Sequence, residues 1–472
     1  MHNAKIDHQE RFFGIITVIY QYLTELAQEL IGDFHICLWE FVMAIWNHVK
    51  AKLNKDSTWF LSSLAAYGSA ELLVRVIRIV AVIVIARAVS PEIMGLAALS
   101  LSLFELVRVL ANAGIGQKII LASASQLPAT ANTAHRLFWI WCMLVAIVQL
   151  CVAALLHIAF EQTDAALMLA VLSAVYLFMP GGLVQVFLLM RDGKMATTAR
   201  IAASQTIADH LLTMIFVILW PSAWAIVLPK LLTAPIWLIA VRRARSWKYN
   251  AAKGTAPARY FVTFSLGVLG SEMLTASRMH LDKLVVGSVL GVKALGIYYF
   301  AFNAGLGITT SFVTAFSTIL FPHLCEVKDG VQRLQRYRRS FFLGAVIFFP
   351  LILAQAAFAP IYVPLVFGQQ WNDAAPLVSI LSLAAIPIFF GAANTAWLRA
   401  SGRISADLMI VAFTTSATLL YFALGAQMSL QMAVIGYVLG LVTNFIPISI
   451  LIFRHAHQQL RIQYSSQQES LI

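Results

Sequence analysis

Charged residues are scarce in this 472-residue chain. Asp, Glu, Lys and Arg make up 11% of it, against about a quarter of a soluble domain. With 60% hydrophobic residues and a mean hydropathy of +0.81, that scarcity excludes a soluble protein and leaves a polytopic helical membrane protein. Catalytic signatures are missing too. The eleven histidines are scattered, and neither H-E-x-x-H nor C-x-x-C occurs. There is no Gly-Lys-Ser/Thr phosphate loop, so the chain is not expected to hydrolyse ATP itself. Cysteine is almost absent. Cys37, Cys142, Cys151 and Cys325 show no close pair and no metal spacing, and Cys142 and Cys151 share one apolar run as small hydrophobes. No cofactor, no metal and no enzymatic activity are expected.

What is abundant is apolar sequence in long runs. A helical span takes about 20 such residues. Twelve segments qualify: 60–85, 93–115, 137–159, 166–189, 201–219, 222–241, 260–287, 294–321, 341–367, 375–397, 406–425 and 430–453. The expectation is an all-α polytopic membrane protein of about twelve transmembrane helices. It divides into an extension (1–57), six spans (58–241), a basic loop (242–259), six more spans (260–455) and a tail (456–472). No cleavable signal peptide is expected, and the apolar runs at 12–23 and 34–46 are each too short to cross a bilayer. Two readings of 1–57 stand: helices lying in the membrane interface, or translation from a start codon set too far upstream.

Net charge is +12, which could suggest nucleic acid. The placement of the charge explains it otherwise. With the N-terminus in the cytoplasm, 25 of the 33 Lys and Arg fall in cytoplasmic segments, and the opposite loops hold only Arg87 and Lys293. This is the positive-inside pattern. It places both termini and the 242–259 loop in the cytoplasm and argues against nucleic acid as a partner; anionic lipid heads suit the basic loops better.

The remaining six basic residues lie inside spans: Arg75, Arg78, Arg108, Lys230, Arg278 and Lys283. So do the acids Glu71, Glu105, Asp209, Glu272 and Asp282. A charge in a bilayer is costly unless it meets a partner or water, so such groups mark either a pathway or a structural pair. Glu71 and Glu272 lie 201 residues apart (272 − 71). The same offset lays Val-Ser-Pro-Glu-Ile-Met-Gly (89–95) on Leu-Gly-Val-Lys-Ala-Leu-Gly (290–296), so that Gly95 falls on Gly296. A unit repeated in both halves, with an acid and a base at similar depth each time, suggests a two-lobed transporter. A cavity rimmed by arginine suits an anionic, phosphate-bearing substrate, since guanidinium presents a planar fork to phosphate oxygens. That makes Arg75, Arg78, Arg108, Lys230 and Arg278 candidate substrate contacts. Glu71, Glu272 and Asp282 are candidates for ion coupling or for structural pairing, as carboxylates whose titration a low-dielectric site can tune. The bland alternative is that Glu71–Arg75, Glu105–Arg108 and Arg278–Asp282 merely neutralise each other at helical spacing.

Three stretches resemble one family. ARAVSPEIMGLAALSLSLFELVRVLANAGIGQKII (86–120) is similar to its second-helix signature. LDKLVVGSVLGVKALGIYYFAFNAGLGITTSFVTAFSTILFPHL (281–324) is similar to its seventh-to-eighth helix region, and LVFGQQWNDAAPLVSILSLA (365–384) to the entry of its tenth helix. The family is the polysaccharide transporters, the Wzx-type oligosaccharide flippases of the MOP superfamily, and the resemblance covers about residues 57–455. It implies two pseudo-symmetric six-helix lobes around a central cavity. It also implies translocation of a polyprenyl-diphosphate-linked oligosaccharide across the bacterial inner membrane for surface or extracellular polysaccharide. Partners implied are membrane lipids and other assembly proteins, a polymerase and a chain-length regulator. A drug or metabolite cation antiporter of the same superfamily would want a more acidic cavity. A membrane-embedded polymerase or ligase would want a large outward loop with basic residues. The longest outward loop here, 367–374, is short.

Overall fold

The computed structural model describes residues 74–111, 114–327 and 329–469. The extension 1–57 and Glu71 lie outside them. No strand occurs among the described residues. The helices are α1 (74–88), α2 (Pro91–Arg108), α3 (Ile115–Leu121), α4 (Leu127–Phe160), α5 (Thr163–Leu172), α6 (Val175–Phe178), α7 (Pro180–Arg191), α8 (Met195–Leu219), α9 (Ala223–Leu232), α10 (Ala234–Ala244), α11 (Arg259–Val289), α12 (Gly291–Ala301), α13 (Gly307–Cys325), α14 (Gly330–Tyr362), α15 (Ala375–Leu383), α16 (Ala385–Ala400), α17 (Ile404–Ala426) and α18 (Leu430–Glu469).

Nine of these helices, alone or run together end to end, are long and apolar enough to cross a membrane, and ten if one bent pair counts as a span. The bent pair runs Thr163–Phe178 and Pro180–Arg191, with a kink of 53°. Proline supplies the kink, because its ring denies the preceding turn a backbone donor. All ten coincide with spans expected from hydropathy. The other two expected spans are α11 and the one whose described part is α1. At 31 residues α11 is long enough to span, but the charges at 272–283 break its apolar character.

Helix boundaries follow local chemistry. Ser90 caps α2, its hydroxyl accepting from Ile93 N at 3.4 Å, with Pro91 in the first turn and Glu92 on the positive end of the helix dipole. The sixth expected span breaks into α9 and α10 at Thr233. There Pro229 leaves its turn loose, and the Thr233 hydroxyl donates to the Pro229 carbonyl at 2.9 Å. Between α12 and α13 the chain makes a π-helical turn, Phe302–Leu306, and the Gln355 amide donates to the Ala304 and Gly305 carbonyls at 3.0 and 3.1 Å.

The two halves of the chain meet most closely where α2 crosses α12. A Cβ built on Gly95 would sit 1.9 Å from the Val292 carbonyl oxygen, and one on Gly296 would sit 1.8 Å from the Pro91 carbonyl oxygen. Pro91 and Val292 are themselves 201 residues apart, as are Gly95 and Gly296. The contact is therefore reciprocal, as at a two-fold axis. Glu92 and Lys293, another pair at that offset, are bridged at 2.9 Å.

The middle loop is anchored, not free. The Asn132 amide donates to the carbonyls of Asn250 and Gly254 at 2.8 and 2.9 Å. Thr133 donates to the Ala256 carbonyl at 2.9 Å, and the His135 ring lies 5.2 Å from that of Trp247. The basic segment is thus strapped to the start of α4.

Candidate functional site

A polar cavity of about 140 Å³ lies where α1, α2, α8, α9 and α12 converge. Arg78, Asp209, His210, Thr213, Lys230, Tyr299 and Asn303 supply its polar wall. Lys230 Nζ donates to Asp209 Oδ2 at 2.9 Å, with the Asp209 side chain buried and Lys230 half-exposed. The other carboxylate oxygen, Oδ1, is buried without a hydrogen-bond partner. Arg78 enters from α1, and its Nη2 donates to the Gly307 carbonyl at 3.4 Å, directly after the π-helical turn. On α2, Arg108 Nε donates to Glu105 Oε2 at 2.7 Å, one turn back.

A second charged group lies on α11. Asp282 and Lys283 are both buried. Lys283 Nζ donates to Asp282 Oδ1 and Oδ2 at 3.1 and 3.0 Å and to the Met279 carbonyl at 2.7 Å. The Tyr298 hydroxyl, from α12, donates to Asp282 Oδ2 at 2.6 Å. The ammonium also sits 3.8 Å over the centre of the Phe302 ring, a cation–π contact. Every donor and acceptor of a buried ion pair is thereby engaged, as burial of two charges demands.

These placements sort the residues chosen from sequence. Arg78 and Lys230 share one cavity. Arg108 has its expected partner, Glu105. The Asp282 carboxylate accepts from the adjacent Lys283 and from Tyr298, partners that helical spacing did not single out. Arg75 is half-buried on α1 and Glu272 half-buried on α11. The Arg278 side chain and all of Glu71 lie outside the description. Sequence reasoning placed Asp209 in a span but missed that it faces Lys230, 21 residues on. It missed Tyr298 and Asn303 altogether; the only signal was polar groups on a segment otherwise apolar.

Residues 84–376 match the polysaccharide biosynthesis protein family, well over half of the chain. The chain belongs to that family. Among its relatives is the lipopolysaccharide biosynthesis protein WzxC of Escherichia coli (strain K12), 23% identical over 379 residues, 77% of this chain and 74% of that protein. The fold is that of MOP-superfamily transporters. An inward-facing multidrug resistance MATE family transporter aligns with a TM-score of 0.65 at 16% identity, over 82% of this chain and 95% of the other. The lipid II flippase MurJ, in an inward closed conformation, aligns with a TM-score of 0.65 at 12% identity, over 85% and 93%. This member of the polysaccharide biosynthesis protein family is therefore an all-α, multi-pass membrane protein, as the hydropathy pattern anticipated.

Proposed function

We propose that this protein is a flippase. It moves a polyprenyl-diphosphate-linked oligosaccharide across the bacterial inner membrane by alternating access, with the diphosphate held in the polar cavity between lobes 58–241 and 260–455. The observation that carries the reading is the joint presence of Arg78 and Lys230 on one intramembrane cavity, in a chain of the polysaccharide biosynthesis family. Arg78 and Lys230 against the single carboxylate of Asp209 leave this sheltered space net positive, which suits an anionic linker, and the hydroxyl and amide groups of Tyr299 and Asn303 on the same wall match the neighbouring sugar. Arg75, Arg108 and Arg278 extend this basic path, and Glu71 and Glu272 are the groups proposed to couple transport to an ion gradient. The basic loops lie in the cytoplasm in this reading, and the polymerase and chain-length regulator act on the product.

The test is paired. Arg78→Ala, Arg78→Lys and Lys230→Met are each scored for polymer export and for detergent-extracted stability. A charge-assisted contact to phosphate is worth about 1.5–3 kcal/mol, roughly 10- to 100-fold in affinity. Arg78→Lys keeps the charge and loses the fork, so its export should fall between wild type and Arg78→Ala. Full export by well-folded Arg78→Ala and Lys230→Met proteins would show that the anion is held elsewhere.

A further inference from the structure

The end of the bundle opposite the basic loops is closed by an interlock that neither the family nor the polar cavity accounts for. At its centre is the reciprocal α2–α12 crossing, where Gly95 and Gly296 let two backbones touch. Around it, each half satisfies the exposed carbonyls of the other. Arg87, at the end of α1, donates from Nε to Val366 O at 2.7 Å and from Nη2 to Leu365 O at 2.8 Å. Those carbonyls lie in the π-helical turn Val363–Phe367 that ends α14. In return, Trp371 Nε1 donates to Ala86 O at 2.7 Å, and Gln370 Nε2 donates to Ala86 O and Val89 O at 2.5 and 3.2 Å. The last carbonyls of any helix lack partners within it. Here two helix ends borrow them from each other, some 280 residues apart in sequence. Trp371 is 1% exposed and stacks on Phe300 of α12 with ring centroids 4.1 Å apart, so it joins the latch to the crossing.

We infer that this interlock is the outward gate of the transport cycle, with Arg87, Gln370 and Trp371 as its latch. The inference rests on the alternating-access reading above. Its chemistry suits a reversible closure. Every hydrogen bond in the latch goes to a backbone carbonyl near the aqueous end of a helix, where water can replace the lost donor at small net cost. The crossing itself carries no side chains to unthread at Gly95 and Gly296. The polar cavity begins within one helical turn of Arg87, at Ile85, so opening the interlock opens a route to it.

The experiment measures access, not transport. A single cysteine at Val82, on the cavity wall, is placed in a background free of other cysteines. It is labelled in intact cells with a membrane-impermeant thiol reagent, and in inverted vesicles as a folding control. Removing the latch with Arg87→Ala or Trp371→Ala should raise outside labelling several-fold while inside labelling persists. Joining the exposed Glu92 carboxylate to the Lys293 amine, 2.9 Å away, as an amide with a water-soluble carbodiimide leaves the reporter thiol untouched and should abolish outside labelling. Outside labelling that is the same in wild type, latch variants and the bridged protein would overturn the gate. Labelling needs no substrate. If it responds as stated while polymer export ignores the bridge, the gate stands and the flippase reading fails.

Discussion

Lys283→Met tests whether the buried charges of α11 hold the fold or drive transport. In the wild type, Asp282 is 1% exposed and accepts from Lys283 at 3.0 and 3.1 Å and from Tyr298 at 2.6 Å. Methionine fills much of the lysine volume but removes the cation. The carboxylate then stays buried without the Lys283 cation and keeps the neutral Tyr298 donor, and breaking a buried pair from one side costs about 3–5 kcal/mol. Adding Asp282→Asn removes the stranded charge while keeping an oxygen for the Tyr298 hydroxyl. The double variant should therefore regain most of the loss, since a buried pair and a well-packed neutral substitute differ little. The assay heats detergent-solubilised protein and reads the monodisperse fraction by size-exclusion chromatography. A double variant as fragile as Lys283→Met refutes the pairing argument, as does a Lys283→Met protein as stable as wild type. Polymer export by the double variant then decides the remaining question. Normal export assigns the pair to structure, whereas a stable protein that no longer exports assigns Asp282 to the transport cycle.

Gly95→Ala and Gly296→Ala should each cost about 1–3 kcal/mol, because the new methyl meets the carbonyls of Val292 and Pro91 at 1.9 and 1.8 Å; unchanged thermal stability of either variant would contradict the crossing. Asn132→Ala removes the donor that holds the Asn250 and Gly254 carbonyls, so limited proteolysis within 245–258 should accelerate; cleavage at the wild-type rate would mean the strap does not hold. Cysteines placed singly at Asn250 and Asn372 should label only from inside and only from outside, respectively, in intact cells and inverted vesicles; outside access at 250 would reverse the orientation.

The fold was legible because its signals are long and one-dimensional. A run of about 20 apolar residues reads as a span whatever surrounds it, and the proline and serine around Ser90-Pro91 mark a helix start before any packing is known. The repeat at 201 residues was legible as well, and it turned out to mark the contact surface itself: Gly95 and Gly296 align in sequence and touch in space. Partner choice among the charges was legible where it is local, as for Glu105 and Arg108, and not where it depends on a second helix. The Asp282 carboxylate is held by its immediate neighbour and by a tyrosine on the next helix. Nothing within α11 announces Tyr298. Likewise Asp209 and Lys230 meet only because α8 turns back at Trp220 to pack beside α9, a fact of three-dimensional packing with no local trace.

That distinction bears on where an anion binds. Among the described residues, at least three of the basic groups inside the spans have an acid at hydrogen-bond distance: Arg108 with Glu105, Lys230 with Asp209 and Lys283 with Asp282. For these the bland reading, mutual neutralisation, holds in the geometry. They are not equal as anion ligands, however. Lys283 is 4% exposed and could reach a substrate only by stranding Asp282. Lys230 is half-exposed on a cavity and can turn one of its three donors towards a ligand while Asp209 keeps another. Arg78 presents its fork to the same cavity. One of its contacts is a long one, 3.4 Å to the neutral carbonyl of Gly307, and a phosphate oxygen is a stronger acceptor for guanidinium. Arg78 and Lys230 are therefore the two basic groups on this cavity placed to respond to an anionic head group.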